Sequence, residues 1–183
     1  MKIWAGLLGY QLVWFAAVIG AAHRLAWPGV AGMLLYAGGQ LLLARQYRLD
    51  LTLMATAFVF GFMLDGGLMR AGLLNYAAAG PAPAIAPAWI LALWMTFALT
   101  LSQSLAWLQT RLGLAALLGL VGGPLAYLGA ARGWHVVDFA EPAWRGLLGL
   151  GVGWAAAVPA LAWLARRMRV DLPRPNALRG HAR

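Results

Sequence analysis

The stretch from residue 112 to residue 131 reads LGLAALLGLVGGPLAYLGAA, twenty residues without a single charge. A helix needs about 17–25 predominantly apolar residues to cross the hydrocarbon core of a bilayer. Arg111 and Arg132 flank the stretch at its two ends. This pattern predicts a transmembrane helix, and it decides the fold class because five other parts of the chain repeat it.

The six apolar runs together predict an all-α integral membrane bundle of about six transmembrane helices. The predicted spans cover residues 3–22, 28–44, 51–69, 88–108, 112–131 and 146–165. They form a single predicted domain over residues 1–168, and residues 169–183 are predicted to be a basic cytoplasmic tail without fixed structure. Helices are the expected element throughout, since a helix satisfies its own backbone hydrogen bonds in lipid. The segment 45–50 is predicted to be a polar hairpin, residues 80–87 a Pro/Ala loop, and residues 133–145 a longer loop.

The composition excludes several classes of protein. The 183 residues are 63% hydrophobic and 10% charged, with a mean hydropathy of +0.74, whereas a soluble domain carries about 25% charged residues. The net charge is +9, but the basic residues stand singly or in pairs at the ends of apolar runs, which argues against a nucleic-acid partner. The chain has no Cys, which excludes disulfides and thiolate metal ligands.

The basic residues also predict the orientation of the chain in a membrane. If both termini share one side, that side carries ten of the fourteen basic residues, six of them from Arg166 to the end of the chain. Basic residues in short loops favour the cytoplasmic face, so both termini are predicted to face the cytoplasm from a bacterial inner membrane. The first run resembles a signal peptide, but its length and the residues Trp4, Gln11 and Trp14 favour a retained helix.

Asp65 is the candidate functional residue because it is the single acid inside an apolar run. A charge within a span is costly, and such residues mark either functional sites or ion pairs. We expect a partner from another helix or loop. Asp65 is predicted to lie toward the periplasmic side, where the cationic candidates are His23, Arg24, Arg132, His135 and Arg145. A structural ion pair and a functional carboxylate that carries a proton remain open alternatives.

The fourth run, residues 88–108, is the most polar and predicts a polar face. Its Thr and Gln residues recur at helical spacing, and the glutamines of the first two helices can join them. Interhelical hydrogen bonding is favoured over a substrate-binding pocket as the role of this face. The predicted polar set comprises Gln11, Gln40, Thr96, Thr100, Gln103, Ser104 and Trp107.

Other residue patterns predict packing rather than chemistry. The segments 119–123 and 149–153 place glycines four apart, a spacing that lets two helix backbones approach closely. Intramolecular packing is favoured over dimerisation for these faces. Of the ten tryptophans, Trp14, Trp94 and Trp154 lie inside the runs, where they are expected to pack against helices or acyl chains. No cofactor and no metal ion is expected, since His23, His135 and His181 lack the spacing of zinc ligands.

Four segments resemble a bacterial family of small multi-pass inner-membrane proteins catalogued as a domain of unknown function. The matching segments are residues 10–22, residues 65–72, LWMTFALTLSQSLAWL at 93–108 and GLVGGPLAYLGAARG at 119–133. The Pro/Ala loop and the tail are not part of the resemblance. Genes of that family often lie near cyclopropane-synthase-like, fatty-acid-modifying methyltransferases, so the resemblance implies a role linked to lipids and implies no catalytic residue.

Three functional hypotheses follow. The first is an enzyme or accessory protein in membrane-lipid or fatty-acid modification, which the resemblance favours. The second is a small proton- or cation-coupled carrier that uses Asp65. The third is an assembly or scaffold partner whose small-residue faces bind other proteins and whose basic tail binds anionic lipid.

Overall fold

The fold is a bundle of six α-helices in a computed structural model that describes residues 2–43, 46–80 and 85–170. This confirms the predicted all-α class. A short 3₁₀ helix (Ala106–Thr110) follows the fourth helix, and two short strands, β1 (Leu74–Tyr76) and β2 (Val137–Phe139), lie between helices. The six helices are α1 (Lys2–Ala22), α2 (Trp27–Leu43), α3 (Tyr47–Arg70), α4 (Ala88–Ser102), α5 (Leu112–Trp134) and α6 (Trp144–Val170).

Four of the helices in the described residues, α1, α3, α5 and α6, are long and apolar enough to cross a membrane. The remaining two, α2 and α4, have 17 and 15 residues. At about 1.5 Å per residue, α4 extends over roughly 22 Å, less than the ~30 Å hydrocarbon core. About six spanning helices were predicted, whereas four in the described residues have the length and apolar composition needed to cross a membrane.

The shortest helix, α4, occupies the centre of the bundle. It packs against α1, α2, α3 and α6, and twelve of its fifteen residues are buried. A helix that is apolar on all sides is stable when it is enclosed by other helices. The outer helices direct large apolar side chains outward, including Leu8, Leu35 and Met63, as expected where lipid surrounds the protein.

The helix predicted over residues 88–108 ends at Ser102 rather than at Leu108. The hydroxyl groups of Thr100 and Ser102 donate to the carbonyl oxygens of Phe97 and Leu99 at 2.6 and 2.9 Å. Such local hydrogen bonds from Ser and Thr compete with helical continuation. Gln109 then donates to the carbonyl oxygen of Leu101 at 2.8 Å, which satisfies one of the acceptors that the helix end leaves open.

The two strands correct the expectation of helices throughout. They pair antiparallel, with Leu74 opposite Phe139 and Tyr76 opposite Val137. The pairing joins the segment after α3 to the segment after α5. Next to the paired strands, Ala77 N also donates to the Val136 carbonyl at 2.9 Å. Residues 133–145, predicted to be a loop, therefore contain the end of α5, the strand β2 and the start of α6.

Two other boundaries differ from the sequence prediction. Within the predicted polar hairpin 45–50, residues 47–50 belong to α3, whose first turn contains Asp50, and residue 45 lies outside the described residues. At the other end of the chain, α6 continues to Val170, two residues into the predicted tail 169–183. Residues 171–183, and residues 81–84 of the predicted Pro/Ala loop, lie outside the described residues.

The glycine-rich faces of α5 and α6 pack inside the molecule. A Cβ atom on Gly119 would collide with the backbone carbonyl of Trp154, so the two helices approach closely at this point. A Cβ atom on Gly149 would meet the side chain of Leu68 in α3 at 2.6 Å. The prediction that these glycines serve intramolecular packing is confirmed.

Candidate functional site

Asp65 is fully buried near the C-terminal end of α3 and accepts three hydrogen bonds. The hydroxyl groups of Tyr76 and Tyr127 donate to Oδ1 at 2.6 and 2.7 Å. The indole Nε1 of Trp94 donates to Oδ2 at 2.7 Å. The three donors come from β1, α5 and α4, so this carboxyl group connects four separate elements of the fold.

The three partners of Asp65 are neutral side chains. An ionised carboxyl group only accepts hydrogen bonds, and the indole N–H of Trp only donates, so the donor set suits a carboxylate. Bonds to an ionised acceptor are stronger than bonds between neutral groups. The expectation of a partner from other elements is correct, but the expectation of a cation is wrong among the described residues. The five candidates, His23, Arg24, Arg132, His135 and Arg145, are all exposed.

Tyr76 reaches Asp65 from the strand β1, outside the long helices. Burial and the neighbouring charge of Asp65 raise the pKa of the Tyr76 phenol well above its ordinary value. Both effects disfavour the phenolate form. Tyr76 therefore remains a protonated donor to Asp65 over the whole neutral pH range.

Trp94 also stacks on Trp154 of α6. The two ring centroids are 3.9 Å apart with planes inclined by 19°, so the rings are stacked. Two glycines make room for the pair: a Cβ atom on Gly61 or Gly123 would lie 2.5 Å from the ring of Trp94 or Trp154, respectively. Within the described part of the chain, the buried Nε1 of Trp154 has no hydrogen-bond acceptor.

An apolar cleft of about 300 Å³ lies on the other side of Trp94 and Tyr127. It runs between α1, α4, α5 and α6. Side chains of Trp94 and Tyr127 line the cleft and donate hydrogen bonds to Asp65, which places the carboxylate behind the cleft wall. The aromatic residues that line the cleft are Tyr10, Trp14, Trp89, Trp94, Phe97, Tyr127 and Trp154.

The predicted polar face does not form a continuous surface. Thr96 and Thr100 are buried in α4, and the Thr96 hydroxyl donates to the Ala92 carbonyl at 2.7 Å. Gln103 lies beyond the end of α4 and donates to Gln40 at 3.1 Å. Within the described residues, Thr100 is the one member of the predicted polar set that lines the cleft.

The other members of the predicted set lie apart from one another. Gln11 is exposed on α1. Ser104 is buried, and its hydroxyl has no hydrogen-bond partner in the described residues. Trp107 is 47% exposed in the 3₁₀ helix, where the guanidinium of Arg111 lies 5.8 Å from its ring centroid.

The phenols and the indole that surround Asp65 were not predicted from the sequence. Tyr76, Trp94 and Tyr127 stand 11, 29 and 62 residues from Asp65 in the chain. Each of the three lies in a different element from Asp65, so no helical or strand period connects them to it. The available signal was weaker: aromatic residues with polar atoms lie inside apolar runs, where each polar atom needs a partner.

A second buried acid, Asp50, lies in the first turn of α3. Its Oδ1 has no hydrogen-bond partner in the described ranges. Its neighbours are Ser102 of α4 and Arg169 of α6, and Arg169 donates to the backbone carbonyl of Ser102. This group connects three helix ends at the opposite end of the bundle from Asp65.

Comparison with known proteins identifies one family. Residues 3–160 match the model of a family described as "Protein of unknown function (DUF2878)". No curated protein and no solved structure matches the chain. The match covers all six helices in whole or in part, and it includes every residue of the Asp65 network.

Proposed function

Since the chain belongs to the DUF2878 family of proteins of unknown function, we propose from its geometry that it binds a lipid acyl chain. It does so as an enzyme or accessory protein in membrane-lipid or fatty-acid modification. We place it in the inner membrane of a bacterium with both termini in the cytoplasm, on the asymmetry of its basic residues. The cleft between α1, α4, α5 and α6 is the observation that carries the proposal.

The cleft has the size and lining that an acyl chain requires. Its volume of about 300 Å³ lies at the lower end of the roughly 300–1,000 Å³ of small-molecule sites. Leu, Val, Ala, Gly and aromatic side chains make up nearly all of its lining. A hydrocarbon chain gains most from such a surface, whereas an ion or a sugar would lose its hydration without compensation.

The Asp65 network supports this role by holding the inner wall of the cleft in place. Each hydrogen bond from Trp94 and Tyr127 to Asp65 fixes the orientation of a ring that faces the cleft. Fixed rings lower the entropy cost of binding, because the site is formed before the ligand arrives. The resemblance to a family encoded near fatty-acid-modifying methyltransferases supports a place in lipid modification.

Filling the cleft tests the proposal directly. Gly122 lines the cleft, and a Cβ atom there would meet nothing within 4 Å. Gly122→Leu should therefore occupy the cleft without disturbing the helix. Gly113→Leu is the matched control, since Gly113 is exposed on the same helix, has equally open surroundings and is not part of the lining.

Two measurements should be made on these variants. Native mass spectrometry of the purified protein should show lipid bound to the wild type and to Gly113→Leu, and a loss of at least tenfold in Gly122→Leu. Fatty-acid profiling of a deletion strain should show a change that the wild type and Gly113→Leu reverse and Gly122→Leu does not. Equal lipid binding by all three proteins would refute the cleft as a lipid site.

The two alternative functions predict different outcomes. A proton- or cation-coupled carrier would lose transport on Asp65→Asn and keep it on Gly122→Leu. The three donors hold the Asp65 carboxyl group in one position, which favours a structural role over a carrier. An assembly partner would retain function in both variants and would copurify with other proteins.

A further inference from the structure

The cleft has two unlike ends. The helix starts of α1, α3 and α5, the end of α6 and the 3₁₀ helix lie at one end of the bundle, here called the termini end. The strands β1 and β2 lie at the other, the sheet end. The cleft lining extends along α1 from Leu7 to Val18 and along α5 from Leu118 to Ala130.

Some lining residues at the termini end are partly exposed, whereas the lining residues at the sheet end are buried. Leu118 is 39% exposed, and Leu7 and Leu105 are half-buried. Val18 and Trp89, at the far end, are 0% and 1% exposed. The cleft is therefore open toward the termini end and blind at the sheet end.

Aromatic side chains close the gap between α1 and α5 on the sheet-end side of the open part of the cleft. Trp14 of α1 meets Trp134 of α5 edge to face, with ring centroids 5.4 Å apart. Phe15 contacts the same Trp134 ring at 5.7 Å. A ligand from the surrounding lipid consequently has access on the termini-end side of this cluster, at the level of Leu7 and Leu118.

The depth of the cleft matches one leaflet. From Leu7 to Val18, α1 rises by roughly 16 Å at about 1.5 Å per residue. Half of the ~30 Å hydrocarbon core is about 15 Å. The cleft thus has the depth needed for the acyl chain of a lipid that remains in its own leaflet.

A basic residue stands near the open end. Arg111 is exposed immediately before α5, and Leu118 lies seven residues further along the chain, or about 10 Å along the helix axis. The Arg111 guanidinium is held over the Trp107 ring at 5.8 Å, a position typical of the membrane interface for both side chains. An anionic headgroup is complementary to this charge.

We propose that the cleft takes one acyl chain of an anionic phospholipid from the leaflet on the termini side, with its methyl end toward the sheet end. This inference rests on the proposed lipid-binding function and adds the leaflet, the direction of the chain and the headgroup charge. The blind end sets the direction, because an entering headgroup would have to pass through buried apolar residues.

Photo-crosslinking in nanodiscs tests the direction. Phosphatidylglycerol would carry a diazirine either near the carboxyl end or near the methyl end of one chain, with the full-length protein as target. The methyl-end probe should label peptides containing Val18 and Ala130, and the carboxyl-end probe should label those containing Leu7 and Leu118. Gly122→Leu should reduce both signals at least tenfold, and Gly113→Leu should not.

The outcomes separate this inference from the proposed function. The reverse labelling pattern would overturn the direction of entry and leave lipid binding intact. Labelling confined to the outer helix faces would overturn both.

Phosphatidylcholine with the same probe should label several-fold less than phosphatidylglycerol, and Arg111→Gln should remove that difference. Equal labelling of the wild type by both lipids would overturn the headgroup assignment. A free fatty acid that labels as strongly as phosphatidylglycerol would overturn the phospholipid as occupant.

Discussion

The two buried acids of α3 differ in how their charge is accommodated. Asp50 and Asp65 are both at most 1% exposed and lie on one helix. Asp65 has three donors on its two oxygens, whereas Oδ1 of Asp50 has no partner among the described residues. The same residue type, equally buried, therefore has a complete hydrogen-bond shell at the sheet end and an incomplete one at the termini end.

The helix itself explains part of this difference. Asp50 lies in the first turn of α3, where the helix dipole favours a negative charge, and Arg169 is a neighbour. Asp65 lies toward the C-terminal end, where the dipole gives no such help. Its charge is stabilised instead by side chains from β1, α4 and α5. Asp65 therefore depends on the tertiary fold more than Asp50 does.

The largest effect is expected from Asp65→Ala. Three buried donors would lose their acceptor at once, which should lower the free energy of unfolding by about 3–5 kcal/mol. Thermal unfolding in detergent measures this loss, with Asp50→Ala as the comparison. A loss no larger for Asp65→Ala than for Asp50→Ala would contradict the difference between the two acids.

Tyr76→Phe should have the next largest effect. It removes one hydrogen bond to Asp65, at a cost of about 1.5–3 kcal/mol. The exposed Tyr47→Phe is the control and should change stability by less than about 0.5 kcal/mol.

The pH dependence sharpens the test of Tyr76. Because its pKa in the folded protein is raised, its contribution to stability is complete below the unfolded value of about 10. The contribution is lost as pH rises from there toward the folded pKa. Wild-type stability should therefore fall above pH ~10, and Tyr76→Phe should weaken that fall; an identical alkaline profile for both proteins would contradict the assignment.

The stacked tryptophans provide a matched pair with a smaller expected difference. Trp94→Phe and Trp154→Phe each replace one indole of the stack by a smaller phenyl ring. Only Trp94→Phe removes a donor to Asp65. Trp94→Phe should be less stable than Trp154→Phe by about 1–2 kcal/mol. Thermal unfolding of the two variants side by side measures the difference, and equal losses would mean that the Trp94 hydrogen bond contributes little.

Asp50→Asn should have the smallest effect of the series, about 1 kcal/mol or less. The substitution keeps the size of the side chain, and Oδ1 has no partner in the described residues to lose. The exposed Asp138→Asn is the control and should leave stability unchanged within about 0.5 kcal/mol. A loss as large as that of Asp65→Ala would show that Arg169 and Ser102 stabilise Asp50 as strongly as the phenols stabilise Asp65.

Much of the fold follows from hydropathy alone. Apolar runs such as residues 112–131 have to form helices in lipid, because no water is present to satisfy the backbone. Asp65 stands out for the same reason, since a charge in such a run needs compensation. The glycine spacing in residues 119–123 also predicts the close approach of α5 to α6.

The tertiary structure decides what surrounds these residues. The phenols and the indole come to Asp65 from β1, α4 and α5, and contacts between distant segments leave no period in a sequence. The strands have three residues each, too few for an alternating pattern to distinguish them from a loop. The end of α4 at Ser102 depends on local hydroxyl bonds that compete with the helix, and the cleft is a space that exists only after four helices have packed around it.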